Sequence, residues 1–222
     1  MDELFNKLNI EAKDLSLYET AFSHSSYANE HKKKKDYERL EFLGDAVLDL
    51  VVAEYLYRKY DYGEGQMTKI RANYVCEDAL YHYSTDLELN KYLKVGHGEE
   101  KTGGKNKKAI IADIFEAMLG AIYLDLGFAT VRKVIFNIIV PYIEDQDINF
   151  FSDYKSTLSE VIQNNNRMLH YEVANESGPA HDKTFVIEAI IDNVVLGRGE
   201  AKSKKEAEQL AAKEALEKLA II

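Results

Sequence analysis

The 222-residue chain contains one cysteine and two prolines. With Cys76 alone an internal disulfide is impossible, so the fold needs no oxidising compartment, and Cys76 reads as a small core residue. Long apolar runs are missing as well. The longest uncharged stretch, Val134 to Ile143, is half of the about 20 residues that a membrane span requires. The N-terminus reads Met-Asp-Glu and lacks the basic-then-apolar pattern of a secretory signal. The expectation is a soluble, cytoplasmic protein with no membrane attachment.

Positive charge is also scarce. The chain has 28 Lys and Arg against 38 Asp and Glu, a net charge of −10. Phosphate contacts rest on Lys and Arg, so the global charge speaks against a nucleic-acid partner. Dividing the chain does not remove the difficulty, because residues 152–222 hold 9 Lys and Arg against 12 Asp and Glu. Any nucleic-acid binding must rest on local placement of basic groups and on metal ions masking carboxylates.

What is present suits a globular chain of two domains. Its 46% hydrophobic and 30% charged residues permit packed cores and argue against disorder, and its length is comfortable for two units. From Leu4 to about Ile143 apolar residues recur at helical spacing, separated by polar stretches at His31–Lys35, Asp61–Gly65 and Gly96–Lys107. This half reads as all-α. After Pro141 the polar run Glu144–Asn149 suits a hinge, which places a domain at residues 1–145, a linker at 146–152 and a second domain at 153–222. The second domain changes period: a helical pattern over Asp153–Asn164, strand composition over Leu169–Ala174, Thr184–Ile191 and Val194–Glu200, then an Ala-, Glu-, Lys- and Leu-rich helix over Ser203–Leu219. Ser203-Lys204-Lys205-Glu206 is a capping box at the start of that helix. The order α-β-β-β-α predicts a small α+β domain.

Two sets of carboxylates draw the chemistry. Glu38, Glu41 and Asp45 stand at i, i+3 and i+7, on one face of a helix. A solvated stripe is one reading, and Leu40, Leu43 and Val47 on the opposite face fit it. Phe42, Leu48 and Val52, however, flank the acids on their own side, so something else is expected to cover that face. The segment Ile110–Ile122 has only two charges, Asp113 and Glu116, at i and i+3. A helix apolar all round is buried, and carboxylates inside a core are costly unless paired. Two readings stay open: a structural carboxylate network, or a metal site of hard oxygen donors suited to Mg²⁺ or Mn²⁺. Four to six acids from two helices could hold two ions and serve phosphodiester hydrolysis.

The run Tyr37-Glu38-Arg39-Leu40-Glu41-Phe42-Leu43-Gly44-Asp45-Ala46-Val47-Leu48 closely resembles the signature helix of the ribonuclease III family. Gly63-Glu64-Gly65, Lys101-Thr102-Gly103-Gly104-Lys105, Ile111-Ala112-Asp113, Glu116-Ala117 and Gly120-Ala121 follow in the family's order. Asp153-Tyr154-Lys155, Gly178-Pro179-Ala180-His181-Asp182 and Gly199 to Glu208 resemble a double-stranded-RNA-binding domain. The resemblance implies that Glu41, Asp45, Asp113 and Glu116 bind metal, with Asp45 and Glu116 the most sensitive catalytic positions and Glu38 and Glu64 auxiliary acids. It implies two Mg²⁺ per site, with Mn²⁺ as substitute. It also implies a homodimer in which Phe42 plugs into the partner, although Phe42 as ordinary core is the plain alternative. The implied reaction is endonucleolytic cleavage of double-stranded RNA, leaving 5′-phosphate and 3′-hydroxyl ends with short 3′ overhangs, in the processing of ribosomal, messenger and transfer RNA precursors.

In the second domain the resemblance assigns RNA contacts to Ser156, Glu160, Gln163, His181, Lys204 and Lys205. Lys204 and Lys205 stand at a helix N-terminus, where free N–H groups already favour phosphate. Ser159 departs from the family, which often has Gln there, and Lys107-Lys108-Ala109 stands where Arg and Ser are more usual. Two rivals remain. A duplex-binding regulator without cleavage conflicts with the intact carboxylates, and a di-metal carboxylate oxidase conflicts with the absence of Glu-x-x-His from both helices.

Overall fold

The helical periodicity of the first half becomes a bundle built around one buried helix. The computed structural model describes residues 1–32, 34–145, 150, 154–179 and 183–221, and the chain divides into two units, Met1–Phe151 and Ser152–Ile222. In the first, the helices are α1 (Asp2–Leu8), α2 (Leu15–Ala21), α3 (Ser25–Glu30), α4 (Glu38–Lys59), α5 (Glu64–Val75), α6 (Glu77–Asp86), α7 (His97–Lys101), α8 (Lys108–Leu126) and α9 (Phe128–Glu144). Single 3-10 turns lie at Leu89–Lys91 and Gly104–Asn106. The stretch Gly96–Lys107, expected as a plain separator, therefore contains α7 and one of these turns. Elements this short carry no readable period.

Helix α8 is the axis. Eleven of its 19 residues are buried, on every side of the helix, as expected for a segment apolar all round. Helices α2, α4, α6 and α9 pack against it. It stops at Gly127, whose φ of 82° and ψ of 172° belong to a region that essentially only glycine adopts, so α9 can start at once at Phe128. Helix α9 then runs through Pro141 to Glu144.

Helices α4 and α8 pack backbone to backbone. A Cβ on Gly44 would lie 1.8 Å from the carbonyl oxygen of Glu116, and one on Gly120 would lie 2.2 Å from that of Leu40. Backbone meets backbone here because neither glycine has a side chain. Helix α4 is enclosed on more than one side. Leu40 and Val47 are buried, and so are Leu48 and Val52, at 0% and 2% exposure. The cover expected over Leu48 and Val52 is thus this unit's own core: Val52 shares a crevice with Ile135, Phe136 and Ile139 of α9. Phe42 is the exception, at 79% exposure, so it is not ordinary core.

The second unit consists of α10 (Tyr154–Asn164), β1 (Leu169–Ser177), β2 (Thr184–Ile191), β3 (Val194–Ala201) and α11 (Lys204–Lys218). The strands form one antiparallel sheet in the order β1-β2-β3. The hairpin between β2 and β3 turns on Asp192 and Asn193, both at positive φ, as a two-residue turn of matching twist requires. Leu158 and Ile162 of α10, Ala189 and Ile191 of β2, and Ala211, Ala212, Ala215 and Leu216 of α11 make a core separate from that of the first unit. Strand β3 lies close on α11: a Cβ on Gly197 would come within 1.9 Å of Ala211 O, and one on Gly199 within 2.1 Å of Ala207 O. Ser203 caps α11, its hydroxyl accepting the N–H of Glu206 at 3.2 Å. The architecture is an all-α unit followed by an α-β-β-β-α unit.

Of the expected linker at residues 146–152, only Phe150 is among the described residues. Its ring packs with those of Tyr74, His82, Tyr83 and Tyr142.

Candidate active site and duplex-binding surface

Glu41 and Asp45 project from α4, and Asp113 and Glu116 from α8, on either side of the Gly44–Gly120 contact. Glu116 stands at that contact, since its own carbonyl is the atom that faces Gly44. Burial pushes the Glu116 carboxyl up to about 8, and the negative charges of Asp45, Glu41, Asp113 and Asp49 add to the shift. Burial likewise pushes Glu41 up to about 7, with Asp113, Glu38 and Asp45 contributing. Asp45 is raised by burial and by Asp49, against the pull of Arg71. Asp113 is raised by burial, against the hydroxyl of Tyr37, which donates to its Oδ2 at 2.9 Å. The charges acting most strongly on Glu41 and Glu116 are all negative. Four acids from helices far apart in sequence are therefore electrostatic neighbours, with Glu38 beside them.

As they stand, no three His, Cys, Asp or Glu side chains among the described residues close around a point tightly enough to hold a metal ion. The acids are coupled as charges without forming a cage. Glu64 lies on α5, outside helices α4 and α8. It is the exposed first residue of α5, and its carboxylate accepts the hydroxyl of Thr68 at 3.1 Å.

Two groups at this site were not singled out from the sequence. Asp49 follows Asp45 by four residues on the same face of α4, so helical spacing could have found it. Arg71, on α5, lies 3.7 Å from Asp49 and had no sequence signal, because only the docking of α5 brings it there. Lys107 and Lys108, the unusual residues ahead of Asp113, are engaged in ion pairs with Glu99 and Asp78.

Phe42 lies on the same helix as Glu41 but faces solvent. With Leu50 at 58% and Tyr57 at 77% exposure, it forms an apolar stripe along α4, at spacings of eight and seven residues. Three large apolar side chains exposed on one helix face are unusual for a surface that stays in water.

On α10, Ser156, Glu160 and Gln163 stand at i, i+4 and i+7, opposite the buried Leu158 and Ile162. Glu160 and Gln163 are exposed and Ser156 is half-buried. The hydroxyl of Ser159 is turned back onto its own helix, donating to Lys155 O at 2.8 Å. Lys204 and Lys205 are exposed in the first turn of α11, and the Lys204 ammonium lies 5.4 Å from the centre of the Phe185 ring. His181 lies outside the described residues.

Residues 14–143 match the Ribonuclease-III-like family model, and residues 154–219 match the Double-stranded RNA binding motif. Proteins named Ribonuclease 3 from Streptococcus gordonii and Streptococcus pneumoniae are 46% and 47% identical to this chain over 219 residues, covering 97% of it and 94% of their own length. Among solved structures, the nuclease domain of ribonuclease III from Campylobacter jejuni aligns with a TM-score of 0.59 at 40% identity, covering 63% of this chain and 96% of that one. That structure concerns flexibility in the region involved in dimer formation of the Campylobacter domain.

Proposed function

The chain belongs to the ribonuclease III family, and from that premise we propose that it is an endoribonuclease that hydrolyses both strands of duplex RNA through the acids of α4 and α8. The observation that carries the reading is the α4–α8 contact, at which two glycines let four carboxylates approach one another, and the charges acting on Glu41 and Glu116 are all negative. Like charges gathered in a half-buried place cost stability, and carboxyls shifted in this way cluster at functional sites. The donor set is all hard oxygen, so Glu41, Asp45, Asp113 and Glu116 fit Mg²⁺, with Mn²⁺ as substitute and two ions per site. An open arrangement suits Mg²⁺, which keeps several waters and binds through few carboxylates. Bound there, the ions would supply Lewis acidity toward the phosphodiester and its attacking water.

The chain's own residues do the rest. Glu41 and Glu116, raised by burial to about 7 and about 8, would give up their protons as the ions bind and hold them as carboxylates, and Glu38 and Asp49 extend the negative field along α4. Ser156, Glu160, Gln163 and His181 would meet sugar hydroxyls and the minor groove of an A-form duplex, and Lys204 and Lys205 its phosphates. Such domains read duplex shape rather than bases, which suits structured RNA precursors, including ribosomal ones, as substrates in the cytoplasm. The expected products carry 5′-phosphate and 3′-hydroxyl ends with short 3′ overhangs. The exposed stripe of Phe42, Leu50 and Tyr57 supports a homodimer through α4, and the exposure of Glu64 at the start of α5 suits a role beside the partner's cutting centre.

The deciding experiment is cleavage of a labelled, perfectly paired RNA. Cutting that requires Mg²⁺ and stops with EDTA is the expected result. Duplex binding without cutting at any Mg²⁺ concentration would replace the nuclease with a binding protein.

A further inference from the structure

Tyr37 is the residue immediately before α4, and it is buried at 3% exposure. A buried phenol needs a partner for its hydroxyl. That partner is Oδ2 of Asp113, at 2.9 Å and 76 positions along the chain. The tyrosine is itself fixed from behind. Its N–H donates to Ser23 O at 3.0 Å, and its ring lies 5.8 Å from that of His24. His24 is in turn held by capping α3, its Nδ1 accepting the N–H of Ser26 at 3.2 Å. The carbonyl of Tyr37 accepts the N–H of Glu41 at 2.9 Å. One residue therefore starts the helix that carries Glu41 and Asp45 while gripping an acid of the other helix.

An ionised carboxylate has two oxygens and about four lone-pair sites. A hydroxyl donor from a buried tyrosine on one oxygen fixes the side chain's rotation and leaves the second oxygen to a different partner. A ligand held this way binds a cation without first losing rotational freedom, and groups that orient ligands typically account for 10–100-fold in metal affinity.

We propose that Tyr37 is a positioning residue for the divalent-cation site, its hydroxyl pinning Oδ2 of Asp113 so that Oδ1 is presented to the ion. The inference rests on the reading of Asp113 as a metal ligand and adds a residue to which that reading gives no role. A merely structural tie between α4 and α8 would instead lower thermal stability and leave the cation requirement alone.

Tyr37→Phe in the full-length chain separates these, since it removes one oxygen and keeps the ring. Two readouts are needed. Mn²⁺ binding, followed by the paramagnetic resonance of the free ion, is independent of turnover. The Mg²⁺ dependence of cleavage at saturating duplex is the second. The expected result is about a tenfold or larger rise in both the Mn²⁺ dissociation constant and the half-saturating Mg²⁺ concentration, with the KM for duplex within about twofold of wild type and the rate deficit narrowing as Mg²⁺ is raised. In an Asp113→Asn background, Tyr37→Phe should add nothing further. Unchanged Mn²⁺ affinity and Mg²⁺ requirement, in a wild type that binds Mn²⁺, overturn the role of Tyr37 alone. A wild type that binds no Mn²⁺ overturns the cation site itself, and the inference with it.

Discussion

Glu116 concentrates the tension of the site in one side chain: a half-buried carboxyl whose strongest neighbours are four other acids. Glu116→Gln keeps its size and hydrogen-bonding capacity and removes the charge. Folding and duplex binding should survive, because a neutral amide replaces a carboxyl that burial keeps protonated up to about 8, and the tail is untouched. Cleavage should fall by about three orders of magnitude or more, since a ligand is lost from the ion that supports in-line attack. A variant that cuts within about tenfold of wild type, a barrier change of about 1.4 kcal/mol, would remove Glu116 from the catalytic set. The same carboxyls predict a pH dependence. In the folded chain Glu116 keeps its proton up to about 8 and Glu41 up to about 7, against an ordinary value of 4.5. Between those limits the folded state binds more protons than the unfolded one, so the stability these groups contribute is lost as pH rises. A divalent ion bound as proposed would take the place of the protons. Melting temperature in EDTA should therefore fall from about pH 5 to about pH 8, Mg²⁺ should stabilise more at the upper end, and Glu116→Gln should flatten both trends. A cation-free melting temperature that climbs across this window would show that other groups dominate.

At the scale of elements, the glycine contact of α4 with α8 sets how near the acids come. A methyl group at Gly44 or Gly120 would meet a carbonyl oxygen at 1.8 or 2.2 Å, and helix backbone cannot swing aside as a side chain can. Gly44→Ala and Gly120→Ala should each cost about 3 kcal/mol or more, at the upper end of overpacking effects, and should lower cleavage by parting the two pairs of acids. Gly98→Ala, in α7 with nothing near its added carbon, is the control and should be neutral or slightly stabilising. Equal stability of all three variants in urea titrations would contradict the contact. The same helices show what a sequence can and cannot disclose. The period of α4 and α8 and the acids upon them were legible, because helical spacing is local, and so were three strands and the Ser203 cap. That Leu48 and Val52 are apolar was legible too, but which surface covers them was not, since for Val52 the answer lies in α9, more than eighty residues on. Gly44 and Gly120 read in isolation only as poor helix formers, and their value exists only where the two helices touch. Arg71 reaches Asp49 through the docking of α5, which no spacing announces. Asp49 is different: its place on the acidic face was available to the same spacing that found Glu38, Glu41 and Asp45.

For the whole molecule, two dependencies should separate cleanly: assembly on the stripe of α4, and duplex affinity on the second unit. Phe42→Asp places a charge at a residue that is 79% exposed, so the protomer should fold normally and sediment as a monomer. A wild type already monomeric while making staggered double cuts would refute the dimer. The second dependency follows from the cores. Unit Met1–Phe151 and unit Ser152–Ile222 each bury their own apolar residues, and Phe150 is seated among four aromatic residues of the first. A chain ending at Phe151 keeps that anchor, the α4–α8 contact and all six candidate acids. It should melt cooperatively and still cut duplex RNA. It should do so weakly, because it has lost Lys204, Lys205 and the face of α10. What remains is an acidic unit whose hold on phosphate comes from bound cations and a few lysines. Attraction of that kind weakens steeply with added salt, because releasing condensed counterions into a more concentrated solution gains less free energy. Initial rates should therefore survive at about 20 mM salt and collapse well before about 200 mM, where the full chain still works. A truncated chain that is folded by circular dichroism yet cuts nothing at low salt would show that the second unit supplies part of the active site.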